Sequence, residues 1–403
     1  MEIRPIFSSL RRHKVTALLV VLEIALTCAI VCNAVFLVGQ RLTRMDMPSG
    51  VAEHELVQVR VGGGQRSTDH GRAQGQADMA ALRQIAGVTS VSAVTQVPFG
   101  NSSWNSSVML SPTQKQATLN ATTYFGEGLI KTFGLNLLKG RDFTHGEYEN
   151  LRDVLANEAP TPTTTIITSA LAQRLWPGEN ALGKTLYMGD RAIRVIGIID
   201  SLVRPSLNNG DDSAQWSMLM PLSTNVSNFV LRTAPDQRQR VIKDALAKLK
   251  ASGPRRIVLE KRSFDSIRAD FFQSDRAMTG LMLGVILALL LVTALGIVGL
   301  GSFWVAQRRR TIGVRRALGA TRGNILRYFQ TENFILASIG IVLGMALAYG
   351  INLYLMSHYE LPRLPWFYLP IGAIVLWLIG QIAVLGPALR AARVPPVVAT
   401  RSV

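Results

Sequence analysis

The sequence has almost no cysteine. Its two, Cys28 and Cys32, lie four residues apart in the first apolar run, and they read as small packing residues on one helix. No disulfide framework can hold the rest of the chain, so any domain there depends on a packed core. Histidine is sparse as well. His13, His54, His70, His145 and His358 are scattered without metal-ligand spacing. No Ser-His-Asp or Cys-His arrangement is readable, and paired acids such as Asp211-Asp212 sit in Asn- and Gly-rich sequence as loop charges. Acids are scarce overall: 26 Asp and Glu stand against 43 Lys and Arg, a formal net charge of +17.

What the chain has instead is apolar length. Hydrophobic residues make up 48% of its 403 positions. Four runs, 15–38, 277–306, 333–356 and 366–389, reach the ~20 residues that a bilayer span requires. The basic excess is placed around them. Arg4, Arg11, Arg12 and Lys14 precede the first run, seven arginines separate the second from the third, and Arg390, Arg393 and Arg401 follow the fourth. The positive-inside rule makes that side cytoplasmic, with both termini inside. The segment between the first two runs is nearly balanced, with 28 basic against 22 acidic residues. The charge thus serves topology and lipid contact, and nucleic-acid binding need not be invoked.

These runs divide the chain into a cytoplasmic N-terminus 1–14, a first span 15–38, an outer segment 39–276, and a second span 277–306. A cytoplasmic connection 307–332, a third span 333–356, a short outer loop 357–365, a fourth span 366–389 and a tail 390–403 follow. The start resembles a signal peptide, but the apolar run is too long and no small-residue cleavage site follows it, so it reads as an uncleaved anchor. Two polar residues stand inside the first span, Glu23 and Asn33. A carboxylate at that depth is costly. Glu23 is either an interhelical or protonated buried group, or a proton or substrate contact.

The outer segment reads as mixed α and β. Strands are expected at Glu55–Val61, Val88–Val97, Thr163–Thr168, Met218–Pro221, Asn228–Arg232 and Arg256–Lys261, with a hairpin across Gly189-Asp190. Helices are expected at Asp78–Ala86, at Ser169–Trp176 capped by Ser169, and at Pro235–Ser252. Gly62-Gly63-Gly64 through Gln76 reads as a flexible loop, and Glu147–Pro162 as an irregular, mobile excursion. The fold class is an integral α-helical membrane protein with four spans plus an extracytoplasmic α+β domain. Two lobes are expected, Glu55–Phe99 and Met218–Lys261 packing as one around an inserted other.

One motif match fails on context. Gly178 to Thr185, GENALGKT, fits G-x-x-x-x-G-K-[ST], in which Lys184 and Thr185 would serve phosphate and magnesium beside Gly178 and Gly183. That loop needs a strand before it and a helix after it. Here a short helix precedes and a hairpin follows, on the outer side of the membrane.

The stretch with most shape is Gln307 to Gln330, QRRRTIGVRRALGATRGNILRYFQ. Its apolar positions form a stripe at helical spacing. Gly319 can end one helix and Thr321 can cap the next. We expect two short amphipathic helices joined by a tight turn. The segment is either a loop that holds topology or a lever that takes force from a cytoplasmic partner.

RRRTIGVRRALGATRGNILRYFQTENFIL resembles the coupling region of FtsX-like ABC-transporter permeases. FGLNLLKGRDF, TIITSALAQRLWPGENALGKTL and IRVIGIID are similar to the periplasmic core domain of macrolide-exporter-type permeases. The resemblance covers essentially the whole chain. The family often carries an acid where this chain has Thr311, and Glu332 matches an acid common at the start of the third span. The resemblance implies a permease subunit in a bacterial inner membrane, paired with a second permease, homo- or heterodimeric. A separate ATP-binding cassette subunit would bind ATP and magnesium, so this chain would hold no cofactor or metal and would not itself be an enzyme. Motion of the periplasmic domain would drive efflux or extraction, and some relatives engage a periplasmic adaptor and an outer-membrane channel. Ile312, Gly313, Val314, Arg315, Arg316, Ala317, Leu318, Gly319 and Ala320 would dock on the ATPase. The rival classes are a signalling scaffold acting on wall hydrolases, a lipoprotein-releasing permease, and a membrane-anchored enzyme.

Overall fold

The computed structural model describes residues 14–62, 69–100, 102–207, 212–224, 227–253, 256–359 and 363–393. The expectations placed on Arg4, Arg11, Arg12, His13, Gly63, Gly64, Asp211 and Arg401 lie outside them. The chain divides into two compact units, Met47–Gln273 and the remainder.

The remainder holds four helices long and apolar enough to cross a membrane. They run Lys14–Met45, Gln273–Gln307, Arg322–Tyr359 and Tyr368–Ala392. The first and third pack closely because small residues line the seam. A Cβ on Gly340 would fall 2.9 Å from Ile24, and one on Gly344 would fall 2.5 Å from Cys28. Gly372 of the fourth helix meets Cys32 in the same way, so both cysteines are buried packing residues. The shared core includes Val20, Ile24, Cys28, Ala337, Ile341 and Leu376.

Polar groups tie the second helix to the first. The hydroxyls of Thr27 and Thr293 hydrogen-bond at 2.8 Å. Arg41 pairs with Asp275, whose side chain is buried. Each long helix runs past its apolar run, since a helix needs its own backbone bonds and not apolarity to continue.

The unit Met47–Gln273 is built on two main sheets. Its strands are β1 Leu56–Gly62, β2 Val88–Ala93, β3 Asn105–Val108, β4 Leu119–Phe125, β5 Leu137–Gly140, β6 Glu149–Asn150 and β7 Thr164–Thr168. They continue as β8 Thr185–Met188, β9 Arg191–Ile199, β10 Ser217–Met220, β11 Leu222–Ser223, β12 Asn228–Thr233 and β13 Ile257–Ser263. An antiparallel four-stranded sheet has the order β13-β1-β12-β2. Helices Asp69–Arg83 and Arg238–Ala251 cover it, through Leu82, Val241, Ala245 and Leu249, with Ile85 just beyond the first helix. A mixed sheet runs β3-β4-β10-β7-β9-β5, with β8 paired to β9. Its core includes Val108, Phe125, Ile167, Leu171, Ile193 and Met218. β6 and β11 form a small parallel pair.

Several local expectations are corrected. Met218–Met220 belongs to the mixed sheet, not to the four-stranded one. The expected loop before Gln76 is helical from Asp69 onward. The helix at Ser169–Leu175 is capped by Thr168, whose hydroxyl accepts from the Leu171 N–H at 3.3 Å. The excursion after Glu147 is stapled down by β6 and by the helix Leu151–Leu155, capped by Asn150. The hairpin stands as expected, with Met188 opposite Arg191 across Gly189-Asp190.

Candidate functional site: the connection between the second and third long helices

The basic stretch folds as one short helix, Arg309–Ala317, followed by the long helix that begins at Arg322. The second of the two expected short helices is therefore not a separate element. Ile325, Leu326 and Phe329 continue without a break into the third long helix. The turn between has the expected chemistry. Gly319 takes φ +95°. Its N–H donates to the Arg316 carbonyl at 3.1 Å, and the Ala320 N–H donates to the Arg315 carbonyl at 3.0 Å. This is the Schellman pairing that closes a helix C-terminus. Thr321 then caps the next helix, accepting from the Asn324 N–H at 3.2 Å.

The short helix is held from beneath. Ile312 is buried among Val305, Ile325, Phe329, Ala388 and Ala391, and Gly313 is buried beside it. Arg315 lies 4.9 Å over the Tyr328 ring. Arg316 donates to the Ala392 carbonyl at 3.3 Å. Arg308, at the base, pairs with buried Glu332 at 3.0 Å. The opposite face is open. Val314 is 44% exposed and Leu318 83% exposed, with Arg310, Ala317 and Arg322 also at the surface. Of the nine residues expected to dock, the structure turns Ile312 and Gly313 inward and engages Arg315 and Arg316 within the chain. Val314, Ala317, Leu318 and Gly319 face outward, and Ala320 is half-buried.

The remaining candidates are elsewhere. Glu23 is half-buried and sits against the second helix, its carboxylate 2.4 Å from where a Cβ on Gly296 would lie. Asn33 donates to the Ala29 carbonyl at 3.0 Å and across to the Ala348 carbonyl of the third helix at 3.1 Å. Gly178 and Gly183 lie in turns at φ +73° and +83°. Lys184 pairs with Glu179 and lies 5.6 Å over the Trp176 ring. A helix precedes this loop and β8 begins at Thr185, the reverse of a phosphate-binding order. Among the described residues, no cluster of His, Cys, Asp or Glu has the makings of a metal site.

Two family descriptions match this chain: a MacB-like periplasmic core domain over residues 17–249 and an FtsX-like permease C-terminal region over residues 283–396. The chain belongs to the FtsX/MacB-type permeases of ABC transporters. Among its relatives is the macrolide export ATP-binding/permease protein MacB of Acinetobacter baylyi, 27% identical over 53% of this chain and 33% of that protein. The ABC transporter permease YknZ of Bacillus subtilis is 25% identical over 72% of this chain and 70% of its own length. The pyoverdine export ATP-binding/permease protein PvdT of Pseudomonas putida is 29% identical, covering 61% and 39%. The chain thus spans about a third of the length of the MacB relatives it matches. The periplasmic region of MacB from Actinobacillus actinomycetemcomitans aligns over 55% of this chain and 94% of its own, at 18% identity and a TM-score of 0.35. As a permease-type chain of this family, it carries both the core domain and the membrane region.

Proposed function

We propose that this chain is a coupling permease. It takes the stroke of a separate ATP-binding subunit at the helix Arg309–Ala317 and delivers it to the domain Met47–Gln273. The observation that carries this reading is the exposed apolar pair Val314 and Leu318 on a helix whose other face is locked. An apolar pair rimmed by Arg310 and Arg322 suits a protein groove bearing acids, since the aliphatic groups anchor and the arginines orient. A loop that served topology alone would need only the charge. ATP and magnesium belong to the partner.

In this reading the arginine-rich ends face the cytoplasm, both termini with them, and the membrane is the bacterial inner membrane. Met47–Gln273 is then periplasmic, and its two sheets, each with its own hydrophobic core, are two lobes. A second permease completes the membrane part. The work done is efflux or extraction from the periplasm or the outer leaflet, as the export names of the relatives MacB and PvdT suggest for this chain.

Co-purification in gentle detergent tests the reading. An ATP-binding subunit elutes with the tagged chain, and ATPase activity accompanies it. Leu318→Asp abolishes both while the permease remains folded, because the side chain is exposed. Elution of the chain alone, with ATP hydrolysis of its own, would overturn the proposal.

A further inference from the structure

The four-stranded sheet ends on β2, and that edge is not covered along its whole length. The Val94 N–H donates to the Asn228 carbonyl at 2.9 Å, which fixes the phase of the ladder. In an antiparallel pair, hydrogen-bonded and non-hydrogen-bonded positions alternate. Ser92 and Ser90, opposite Val230 and Arg232, therefore bond inward to β12. Ala93 and Val91 direct their N–H and C=O groups outward. At Ala93 the edge is closed, because the Thr224 hydroxyl donates to its carbonyl at 3.1 Å and Gly126 approaches the same oxygen. At Val91 no partner engages those groups among the described residues, although the residue itself is buried.

Val91 lines a cavity of about 370 Å³ together with Arg83, Thr89, Glu127 and Lys131. A second cavity of about 480 Å³ shares Arg83 and Glu127 and extends past Ala93 toward Asp153. The two meet at Arg83 and Glu127 and follow the strand edge from Val88 to Ala93, at ~3.4 Å per residue. At the Val91 end Arg83 and Lys131 outnumber Glu127, whereas toward Asp153 the lining adds Glu149, Asp153 and Arg72. Glu127 is held by His145 at 3.1 Å, and Asp153 by Arg72. Arg83 and Lys131 make no ion pair among the described residues. These two cations flank the strand edge at Val91.

We propose that this groove takes an extended peptide segment of a partner protein, which adds to β2 as a fifth strand and places a carboxylate between Arg83 and Lys131. The backbone of Val91 supplies the register and the two cations select an acidic side chain. Strand addition satisfies the Val91 groups through main-chain hydrogen bonds. A purely ionic site would have no use for the strand edge.

The test uses the full chain in detergent and a fluorescein-labelled hexapeptide, Thr-Val-Glu-Val-Thr-Val, read by anisotropy. A twin peptide carries N-methyl groups on alternate amides. The expected result is saturable binding of the parent peptide and at least about tenfold weaker binding of the twin. Arg83→Glu and Lys131→Glu each weaken binding by about tenfold, and both sites are exposed, so the fold survives. Val91→Pro removes the outward N–H while sparing the ladder to β12, and it abolishes binding; if it unfolds, the charge variants and the twin peptide still decide. Equal binding of the two peptides overturns the proposal in favour of a site that reads side chains alone. No saturation up to about 1 mM peptide, a free energy of only about −4 kcal/mol, also overturns it. Displacement of both peptides alike by inorganic phosphate means a simple anion site, and overturns it too.

Discussion

Nη1 of Arg308 lies 3.0 Å from each carboxylate oxygen of Glu332, and the Glu332 side chain is 1% exposed. The pair fastens the end of the second long helix to the third. Between its members lie the short helix and its turn, so the ion pair closes the base of the connection. Arg308 also lies 5.7 Å over the Trp304 ring, which fixes the guanidinium from the other side.

Breaking that pair is expected to be costly. Glu332→Ala leaves the part-buried Arg308 cation without its carboxylate, a loss at the lower end of about 3–5 kcal/mol. The double variant Arg308→Met with Glu332→Leu removes both charges and recovers most of the loss, because desolvation of the pair offsets much of its attraction. Thermal unfolding in detergent measures both. A single variant no less stable than the double one would show that the pair is not the clasp.

Stability and coupling should separate along the short helix. Ile312→Ala empties a packed site and costs about 2–5 kcal/mol. Leu318→Ala, at an exposed site, costs no more than about 0.5 kcal/mol. The expected effect on stimulation of the partner ATPase is the opposite, with Leu318→Ala the more damaging per unit of stability. Gly319→Ala strains the left-handed turn by about 1 kcal/mol and re-aims the helix. Paired unfolding and ATPase measurements on the three variants check the ordering. Equal loss of ATPase stimulation per unit of stability would argue against an outward docking face.

Acid sensitivity has a specific source at Glu147. Arg141 binds both of its oxygens, at 2.7 and 2.8 Å, and the Thr144 N–H donates to it at 2.7 Å. The Arg141 pairing, the largest cause, and the Thr144 bonds hold the carboxyl down at about 2, against 4.5 ordinarily. A depressed folded value means stability that is fully present above pH 4.5 and is lost as pH falls toward 2. Neighbouring Asp142 has the opposite sign, since burial raises its value, and acidification favours the fold there. Glu147→Gln should therefore reverse the local pH slope. Hydrogen exchange of the 142–150 amides across pH 2–5 follows it. An unchanged slope in the variant would refute the assignment.

How much of this was readable in the sequence depends on which physics carried the signal. The four spans were plain, because about 20 consecutive apolar residues leave few alternatives. The Gly319 turn and the Thr321 cap were plain for a similar reason: few residues satisfy those backbone positions. β3 and β4 were missed. Hydroxyls blur the alternation on both faces: Thr123, bonded to Ser106, interrupts the apolar face of Leu119, Ala121 and Phe125, while Thr122, bonded to Asn105, is buried on the opposite face, each bond at 2.8 Å. The Arg308–Glu332 pair was invisible because its members are brought together only by helix packing. Which face of the short helix points outward was also undecidable, since Ile312, which turns inward, and Val314, Ala317 and Leu318, which turn outward, are all apolar.

The seam between the first and third long helices should tolerate no added atom at Gly344. A Cβ there would lie 2.5 Å from the Cβ of Cys28 and 2.6 Å from the carbonyl oxygen of Ala25. Neither is the far end of a flexible side chain, so the helices must part. Gly344→Ala should cost about 1–3 kcal/mol despite its better helix propensity. Gly350→Ala on the same helix meets nothing within 4 Å, and should be neutral or gain up to about 1 kcal/mol. Unfolding midpoints in one detergent separate the two cases, and an unperturbed Gly344→Ala would mean that the seam can open without loss. Cys28→Gly cannot rescue Gly344→Ala fully. It removes one contact, but the Ala25 carbonyl belongs to the helix backbone and remains at 2.6 Å.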